Sequence, residues 1–196
     1  LQTVLSVDLI PPSPNLWNRK SPVASRSMLA IPSSIIKDMI AHARELAPHE
    51  CCGILSGSGG TIAEGYRITN ILASLSEQDL KRFDGAKLSD LKRLSPEERS
   101  DIAFQMDARE MAMAQRDIRS KSLDLLGFYH SHTFSPARPS QTDITIAMEF
   151  ESYRAKLNFP EPFHLIISLE HPNQPVVRAY RIQDSLATEV PIHSLP

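Results

Sequence analysis

The chain has 196 residues, 21 basic and 23 acidic side chains, a formal net charge of −2, and 41% hydrophobic residues. This length and composition predict one folded domain with its own hydrophobic core, plus short appendages. The balanced charge argues against a nucleic-acid-binding protein and against a basic membrane-binding surface. No stretch contains the roughly 20 consecutive apolar residues that a membrane span needs.

The two cysteines, Cys51 and Cys52, are adjacent in the chain. Adjacent cysteines cannot form a disulfide framework, so we expect a reducing compartment and a cytoplasmic location. Residues 1–30 are rich in proline and serine and lack the basic leader of a secretory signal. The sequence therefore predicts an N-terminal extension over 1–30 and a domain over 31–196.

The first predicted element of the domain is a helix at about 33–47. Its apolar residues repeat on one face, and Ser33 or Ser34 is expected to cap its N-terminus. A buried strand over 51–57 follows, and a turn at Ser58-Gly59-Gly60 predicts a hairpin with a second strand over 61–71.

Residues 73–100 are polar and carry charges of both signs. This composition predicts an insertion that lies over the surface of the domain. Ser95 and Glu98 have the spacing of a capping box, which indicates that a short helix begins there. An extended segment at Phe104–Met106 then leads to a helix at about 108–121 that Asp107 caps.

Residues 123–132 are apolar and then abruptly polar, which predicts a central buried strand that delivers polar residues at its C-terminal end. Gly127 is expected to let the backbone pack closely. The alternation of helices and strands predicts an α/β layered domain. Its remaining elements are a helix capped by Ser140, strands over 163–170 and 176–183, and an edge strand over 188–193.

The segment His130-Ser131-His132 carries the clearest chemical signal. Residues i and i+2 of a strand point to the same face, so both imidazoles can approach one metal ion. Asp143, in the first turn of the next helix, is a candidate third ligand, and three protein ligands plus water are typical of catalytic zinc. Taken singly, each feature also has an ordinary interpretation, because histidines end many strands and Ser140-x-x-Asp143 is a common helix start.

The whole pattern, H-S-H, seven residues, S, two residues, D, resembles the JAMM motif of the MPN-domain metalloproteases at every specified position. Glu50 stands directly before a glycine-apolar strand, where that family carries its upstream glutamate. The resemblance implies an MPN/JAMM domain of α/β (α+β layered) class. Such a domain is a mixed central sheet flanked by helices, in a cytidine-deaminase-like arrangement.

The resemblance also implies a role for each residue of the motif. His130, His132 and Asp143 would be the ligands of one Zn²⁺ per chain. Glu50 would be the general base and acid, and apolar neighbours would bring its pKa closer to the working pH. Ser140 would donate a hydrogen bond to the tetrahedral oxyanion.

The sequence is most similar to the compact prokaryotic branch of the family, which acts on ubiquitin-like sulfur-carrier proteins. Glu50-Cys51-Cys52-Gly53 and the strand that ends in His130-Ser131-His132 carry this similarity. Thr133 stands where the deubiquitinases usually have proline, and Ser131 argues against the RadC-type set. A deubiquitinase-like lysine isopeptidase and a non-catalytic MPN scaffold remain the alternatives.

The expected substrate is the flexible Gly-Gly tail of a ubiquitin-like or sulfur-carrier protein. We expect the tail to add as a strand beside His132 and Thr133, since backbone hydrogen bonds would supply affinity. Phe104 and Met106 either form an apolar wall for this tail or belong to the core. His49 is a surface residue or a support for the site, and nothing in the sequence indicates the oligomeric state.

Overall fold

The computed structural model of the protein describes residues 28–76, 93–157 and 160–196. Residues 1–27 of the predicted extension over 1–30 and residues 77–92 of the predicted insertion over 73–100 lie outside the described residues. The described elements, in chain order, are β1 (Leu29–Pro32), α1 (Ser33–Leu46), β2 (Cys52–Ser58), β3 (Thr61–Ile68), a 3₁₀ turn (Leu72–Ser74), α2 (Pro96–Ile102), α3 (Ala108–Ser120), β4 (Asp124–His132), α4 (Gln141–Leu157), β5 (Phe163–Ser168), β6 (Val176–Gln183), β7 (Leu186–Val190) and β8 (Ile192–Leu195).

The eight strands form one sheet in the order β7-β6-β5-β4-β2-β3-β1-β8. The sheet is mixed: β4 runs parallel to β5, and β1 runs parallel to both β3 and β8, while the other pairs are antiparallel. The predicted α/β layered fold with a mixed central sheet is confirmed. β4 lies at the centre, so the polar residues at its C-terminal end lie between two paired neighbours.

The two ends of the sheet meet at Pro191. Val190, the last residue of β7, pairs with Ala179 of β6, whereas Ile192, the first residue of β8, pairs with Leu29 of β1. The amide of Leu29 donates to the carbonyl of Pro191. The predicted edge strand over 188–193 is therefore two strands on opposite edges, because proline lacks the donor that a continuous ladder needs.

Helix α1 covers one face of the sheet. Its buried Met39 and Ala43 pack against sheet residues such as Leu55, Tyr129 and Leu165 in the largest core cluster. The predicted helix is confirmed, but the predicted serine cap is wrong. The N-cap position is Pro32, and no side chain caps the helix. Proline presets a backbone angle suited to helix entry, so the helix starts without a serine acceptor.

Helices α3 and α4 cover the opposite face. Met111, Ala114 and Ile118 of α3 pack on Cys52 and Ile54, and Ala147 of α4 packs on Ile166 and Tyr180. The predicted N-terminal caps of α2 and α3 are confirmed, since Ser95 and Glu98 form a capping box and Asp107 caps α3. His130 and His132 alternate with Tyr129, so they face α3 and α4.

The predicted role of Gly127, close packing of the backbone at the centre of the sheet, is confirmed. A Cβ atom there would lie 2.6 Å from the carbonyl oxygen of Phe163 on the neighbouring strand. Only glycine permits this approach of β4 to β5, which sets the register that places His130 opposite Ile166. None of the described helices is both long enough and apolar enough to cross a lipid bilayer.

Candidate active site

Three potential metal ligands meet where β4 ends and α4 begins. His130 and His132 are buried, with 5% and 6% of their surface exposed, and Asp143 lies in the first turn of α4. The two Nε2 atoms lie 3.1 Å apart. Asp143 Oδ1 lies 3.3 Å from His130 Nε2, and Oδ2 lies 3.4 Å from His132 Nε2. The predicted ligand set is thus brought together in space.

The chemistry of this donor set fits a divalent cation. His132 Nδ1 lies 3.0 Å from the carbonyl oxygen of Pro136, so the Nδ1 proton donates there and Nε2 carries a lone pair. The Nε2 lone pair of His132 therefore faces the nitrogen of His130 and the carboxylate of Asp143. A cation between these three side chains would be bound by the lone pairs and by the negative charge of the carboxylate. Two imidazoles and one carboxylate, with one side open, are typical of catalytic zinc.

Asp143 is held in place by the start of its own helix. The backbone N–H and the hydroxyl of Ser140 both donate to Asp143 Oδ2 at 2.7 Å, and the amide of Asp143 donates back to Ser140 Oγ at 3.1 Å. Burial favours the neutral carboxyl, but the two histidines and Ser140 outweigh it and hold the pKa of Asp143 well below its usual range. Asp143 is therefore available as an anionic ligand.

Glu50 is brought to the same place by long-range contacts of its neighbours. The amide of Cys51 donates to Ser131 Oγ at 2.8 Å, and the amide of Ser131 donates to the carbonyl of Cys51. The hydroxyl of Thr133 donates to the carbonyl of Pro48 at 2.8 Å. These bonds tie the segment that carries Glu50 to the strand end that carries the two histidines.

The environment of Glu50 favours a proton-transfer role. Only 6% of the residue is exposed, and within the described part of the chain its carboxylate accepts no hydrogen bond. Burial first, and then the charges of Asp143 and Asp101, raise the pKa of Glu50 well above its usual value. A carboxylate with a raised pKa can both accept and return a proton near neutral pH.

Glu50, His132, Ser140 and Asp143 line one cleft of about 220 Å³. Phe104 also lines it, and its ring stacks on the ring of His130 with 4.7 Å between centroids. The stacked ring fixes the plane of the imidazole. The other lining residues are Asp101, Ile102, Ala103, Thr133, Phe134, Ser135, Thr142 and Ile146.

The sequence predicts that Phe104 and Met106 form either an apolar wall for the tail or part of the core, and the structure places the two residues differently. Phe104 lines the cleft, whereas Met106 is 7% exposed and packs in the core against α3. β4 pairs with β2 as far as His130 and with β5 as far as His132, and the addition of the tail beside His132 and Thr133 stays a prediction. A sequence pattern alone cannot say which of several strands occupies an edge.

Sequence reasoning missed Asp101, Ile102 and Phe134. Asp101 and Ile102 end helix α2, on the wall of the cleft that faces Glu50, and Ile102 and Phe134 are 61% and 68% exposed. The capping box at Ser95 indicated the helix but not where it packs. Exposed apolar side chains beside a cleft are detectable only once the surface is known.

A family model described as prokaryotic homologs of the JAB domain, Prok-JAB, matches residues 32–183. The chain is 26% identical to the CysO-cysteine peptidase of Mycobacterium tuberculosis over 166 residues, which are 85% of this chain and 90% of that protein. It is 28% identical to the desampylase of Haloferax volcanii over 123 residues, which are 60% and 70% of the two chains.

Among solved structures, the solution structure of protein DSY2949 from Desulfitobacterium hafniense is 29% identical. Its TM-score is 0.60, and the match covers 86% of this chain and 93% of that one. The matched family model, the mixed sheet and the converged motif agree with one another. The chain therefore belongs to the prokaryotic JAB family, within the JAMM/MPN proteins.

Proposed function

We propose that the protein is a zinc-dependent metallopeptidase that hydrolyses an amide or isopeptide bond at the C-terminal tail of a ubiquitin-like or sulfur-carrier protein. One observation carries the proposal. A His-His-Asp cluster lies beside a buried glutamate that accepts no hydrogen bond from the described residues, and Glu50, His132 and Asp143 line the same cleft. An open three-ligand site next to a proton acceptor is typical of hydrolytic rather than structural zinc.

Two relatives support the class of substrate. One is named a CysO-cysteine peptidase and the other a desampylase. Both names describe release of a group from another molecule. Among the alternatives, a scaffold without activity is disfavoured, since His130, His132, Asp143, Glu50 and Ser140 are all present and lie together.

Zinc held by His130, His132 and Asp143 would supply Lewis-acid polarisation of the scissile carbonyl and a water of lowered pKa. Glu50 would accept a proton from the attacking water on its carboxylate and return that proton to the leaving amine nitrogen. The cleft wall around Glu50 keeps bulk water away, which maintains the raised pKa that both transfers require.

Ser140 would donate a hydrogen bond to the oxyanion that develops on the scissile carbonyl. In the structure its hydroxyl donates to Asp143 Oδ2 and accepts from the amide of Asp143. The hydroxyl would therefore have to turn from the carboxylate to the substrate. The amide of Ser140, which also donates to Oδ2, would keep Asp143 in place during this rotation.

The extended segment at Phe104 offers a second place where the substrate tail could add as a strand. The neighbouring Gln105 pairs through its N–H and C=O with residues 70 and 71. The backbone N–H and C=O of Phe104 have no partner among the described residues and belong to the opposite edge of this extended segment. An extended tail can add there as a strand, with its terminal glycines entering the cleft.

The lining of the cleft bears on the leaving group. A carrier–cysteine adduct would present the free carboxylate of cysteine, which favours a cationic partner. The described lining holds the acidic Asp101 and the apolar Ile102 and Phe134, and no lysine or arginine among its described residues. This lining favours the second candidate function, a lysine isopeptidase, in which the aliphatic stem of lysine would lie against apolar side chains.

Mass spectrometry of two purified substrates tests the proposal and separates the two candidates. One substrate is a carrier–cysteine adduct, and the other is a lysine-linked ubiquitin-like dimer, each incubated with the zinc-loaded protein. Release of cysteine alone supports the sulfur-carrier peptidase, and cleavage of the dimer alone supports the isopeptidase. The matched control is each substrate with its two terminal glycines changed to alanine, which should not be cut.

Failure on both substrates, with zinc bound and Glu50 intact, would overturn the tail-hydrolase proposal. It would leave a peptidase with a different substrate or a scaffold. The same preparation then separates those two, because a scaffold would show no turnover on a mixture of unrelated peptides.

A further inference from the structure

The N-terminal neighbour of Glu50 is tied to the cleft wall. His49 Nδ1 lies 2.6 Å from Asp101 Oδ1 and 2.9 Å from Ser100 Oγ. The backbone amide of Glu50 donates to the carbonyl of Ser100 at 2.7 Å. Three contacts thus join residues 49 and 50 to the last turn of α2, although about fifty residues separate the two segments in the chain.

A fourth contact closes the same junction from the other side. The side-chain amide of Asn70 donates to the carbonyl of Glu50 at 3.0 Å and to the carbonyl of Ala103 at 3.1 Å. The peptide groups on both sides of Glu50 are therefore held, one by Ser100 of α2 and the other by Asn70, which also bonds Ala103. Its side chain, in contrast, accepts no hydrogen bond from the described residues.

We propose that His49 and Asp101 form a positioning pair for Glu50, in which the Nδ1–H of His49 bonds the Asp101 carboxylate and so holds the wall of the cleft at a set distance from the Glu50 backbone. This inference rests on the proposed function for its catalytic consequence. It adds two residues to the site that the JAMM motif does not include.

The physical reason is that the carboxylate of Glu50 has no bonds of its own to orient it. Its direction follows from the backbone of Glu50, and that backbone is bonded to Ser100 in α2. Loss of the His49 side chain would remove its contacts with Asp101 and Ser100 and leave a single backbone hydrogen bond between the two segments on this side. A displacement of the base by about 1 Å can lower a rate by up to roughly 100-fold, so the pair would act on turnover.

Asp101 has a second effect on the carboxyl group of Glu50. It lines the cleft, and its charge is one of the causes, after burial and Asp143, that raise the pKa of Glu50. The pairing with His49 holds that charge on the cleft wall. A variant that breaks the pair would therefore change both the place of the base and the field around it.

The test compares two substitutions of His49. His49→Leu fills a similar volume without a donor, whereas the side-chain amide of His49→Asn can replace the Nδ1–H as a donor to Asp101. We expect His49→Leu to lower kcat about 10- to 100-fold with KM within about twofold, and His49→Asn to restore most of kcat. His193→Leu, at an exposed position of β8 remote from the cleft in the sheet order, is the matched control.

Amide hydrogen exchange on the same variants gives a readout without substrate. The proposal expects the amide of Glu50, which donates to Ser100, to lose protection at least about 10-fold in His49→Leu and to regain it in His49→Asn. Equal protection in wild type and His49→Leu would overturn the proposal. So would a loss of kcat that His49→Asn fails to restore.

The two proposals can fail separately. If the wild-type protein cuts neither the adduct nor the dimer, the proposed function fails, while the exchange data still decide whether His49 and Asp101 hold Glu50. If the wild type cuts and His49→Leu keeps full kcat, the positioning pair fails and the peptidase stands.

Discussion

Other residues hold the backbone of Glu50 in place but do not hydrogen-bond its carboxylate, among the described residues. Ser100 and Asn70 hold its two peptide groups, and Ser131 holds the next amide. Its carboxylate accepts no hydrogen bond within the described residues, and burial raises its pKa. A general base needs this combination, because a carboxylate that is already hydrogen-bonded to the protein has a lowered pKa and a weaker affinity for the proton.

Replacement of Glu50 by glutamine should separate metal binding from turnover. The amide has nearly the same shape but cannot accept the proton from water, so Glu50→Gln should keep about one zinc per chain. It should lose about 10⁴-fold or more of the hydrolytic rate, because the residue would serve two proton transfers. Elemental analysis and the mass-spectrometric assay measure the two effects, and turnover near the wild-type rate would show that the assigned mechanism is wrong.

A second prediction at the scale of single residues concerns zinc binding by the proposed ligands. His132→Ala removes one Nε2 of the cluster and should lose most of the zinc after dialysis, while Ser140→Ala should keep it. Ser140→Ala should still lose about 10²–10³-fold in rate, the usual cost of one oxyanion donor. Full zinc occupancy in a His130→Ala, His132→Ala double variant would contradict the assigned site.

Among the elements, β4 connects the proposed zinc ligands to the proposed base. His130 and His132 lie on one face of its C-terminal end, and Ser131 between them faces the opposite way, with none of its surface exposed. Ser131 Oγ accepts from the amide of Cys51. One strand thus presents the two histidines on one side and secures the Glu50 segment on the other.

Ser131→Ala should reduce stability without removing zinc. The substitution leaves the buried amide of Cys51 without its acceptor, which costs about 1–3 kcal/mol in the free energy of unfolding. Urea denaturation measures the change. Thr133→Val is the matched control, because it removes an exposed bond from Thr133 Oγ1 to the carbonyl of Pro48 and should cost much less. Equal losses in the two variants would contradict this account.

Across the whole molecule, helix α1 is joined to the central strand by a buried polar pair. His42 Nδ1 lies 2.9 Å from the hydroxyl of Tyr129, and both residues are almost completely buried. Burial first, and then the positive charge of Arg67, lowers the pKa of His42 below its usual value, although Glu45 and Asp38 oppose the shift. The folded protein therefore holds this imidazole neutral at a pH where the unfolded chain begins to protonate it.

The sign of the pH dependence follows from that difference. Below pH 6.5, the usual pKa of histidine, the unfolded state binds more protons than the folded state, so the free energy of unfolding falls as pH falls toward the lowered pKa. His42 should contribute at most about 1.4 kcal/mol per pH unit to this decline. Urea denaturation at pH 7, 6 and 5 should show a shallower decline for His42→Asn than for the wild type.

His193→Asn, an exposed histidine, should follow the wild-type pH dependence and serves as the control. The proposed zinc ligands are present in all three proteins, so their contribution cancels in the comparison. Identical slopes for the wild type and His42→Asn would show that burial of this imidazole has no effect on stability over this range.

Much of the fold could be predicted because local rules determine it. The capping box at Ser95, the cap at Asp107 and the apolar stripe of α1 each predict an element from a few neighbouring residues, and those elements are observed. The serine cap of α1 and the single edge strand over 188–193 could not be predicted correctly. Both depend on the structural position of a proline, Pro32 at the start of α1 and Pro191 between β7 and β8. A short window of sequence does not specify these positions.

By itself, the sequence determined which side chains could meet in the candidate site. Two histidines at i and i+2 of a strand must share a face, and the fixed Ser140-x-x-Asp143 spacing puts a carboxylate in the first turn of the next helix. Only the tertiary structure decided where Glu50, Phe104 and Asp101 lie relative to those ligands. Their positions come from strand register and from hydrogen bonds between residues far apart in the chain, such as Cys51 with Ser131 and His49 with Asp101. Such contacts depend on the whole packed fold, because the order of strands in a sheet is set by the core and not by neighbouring residues.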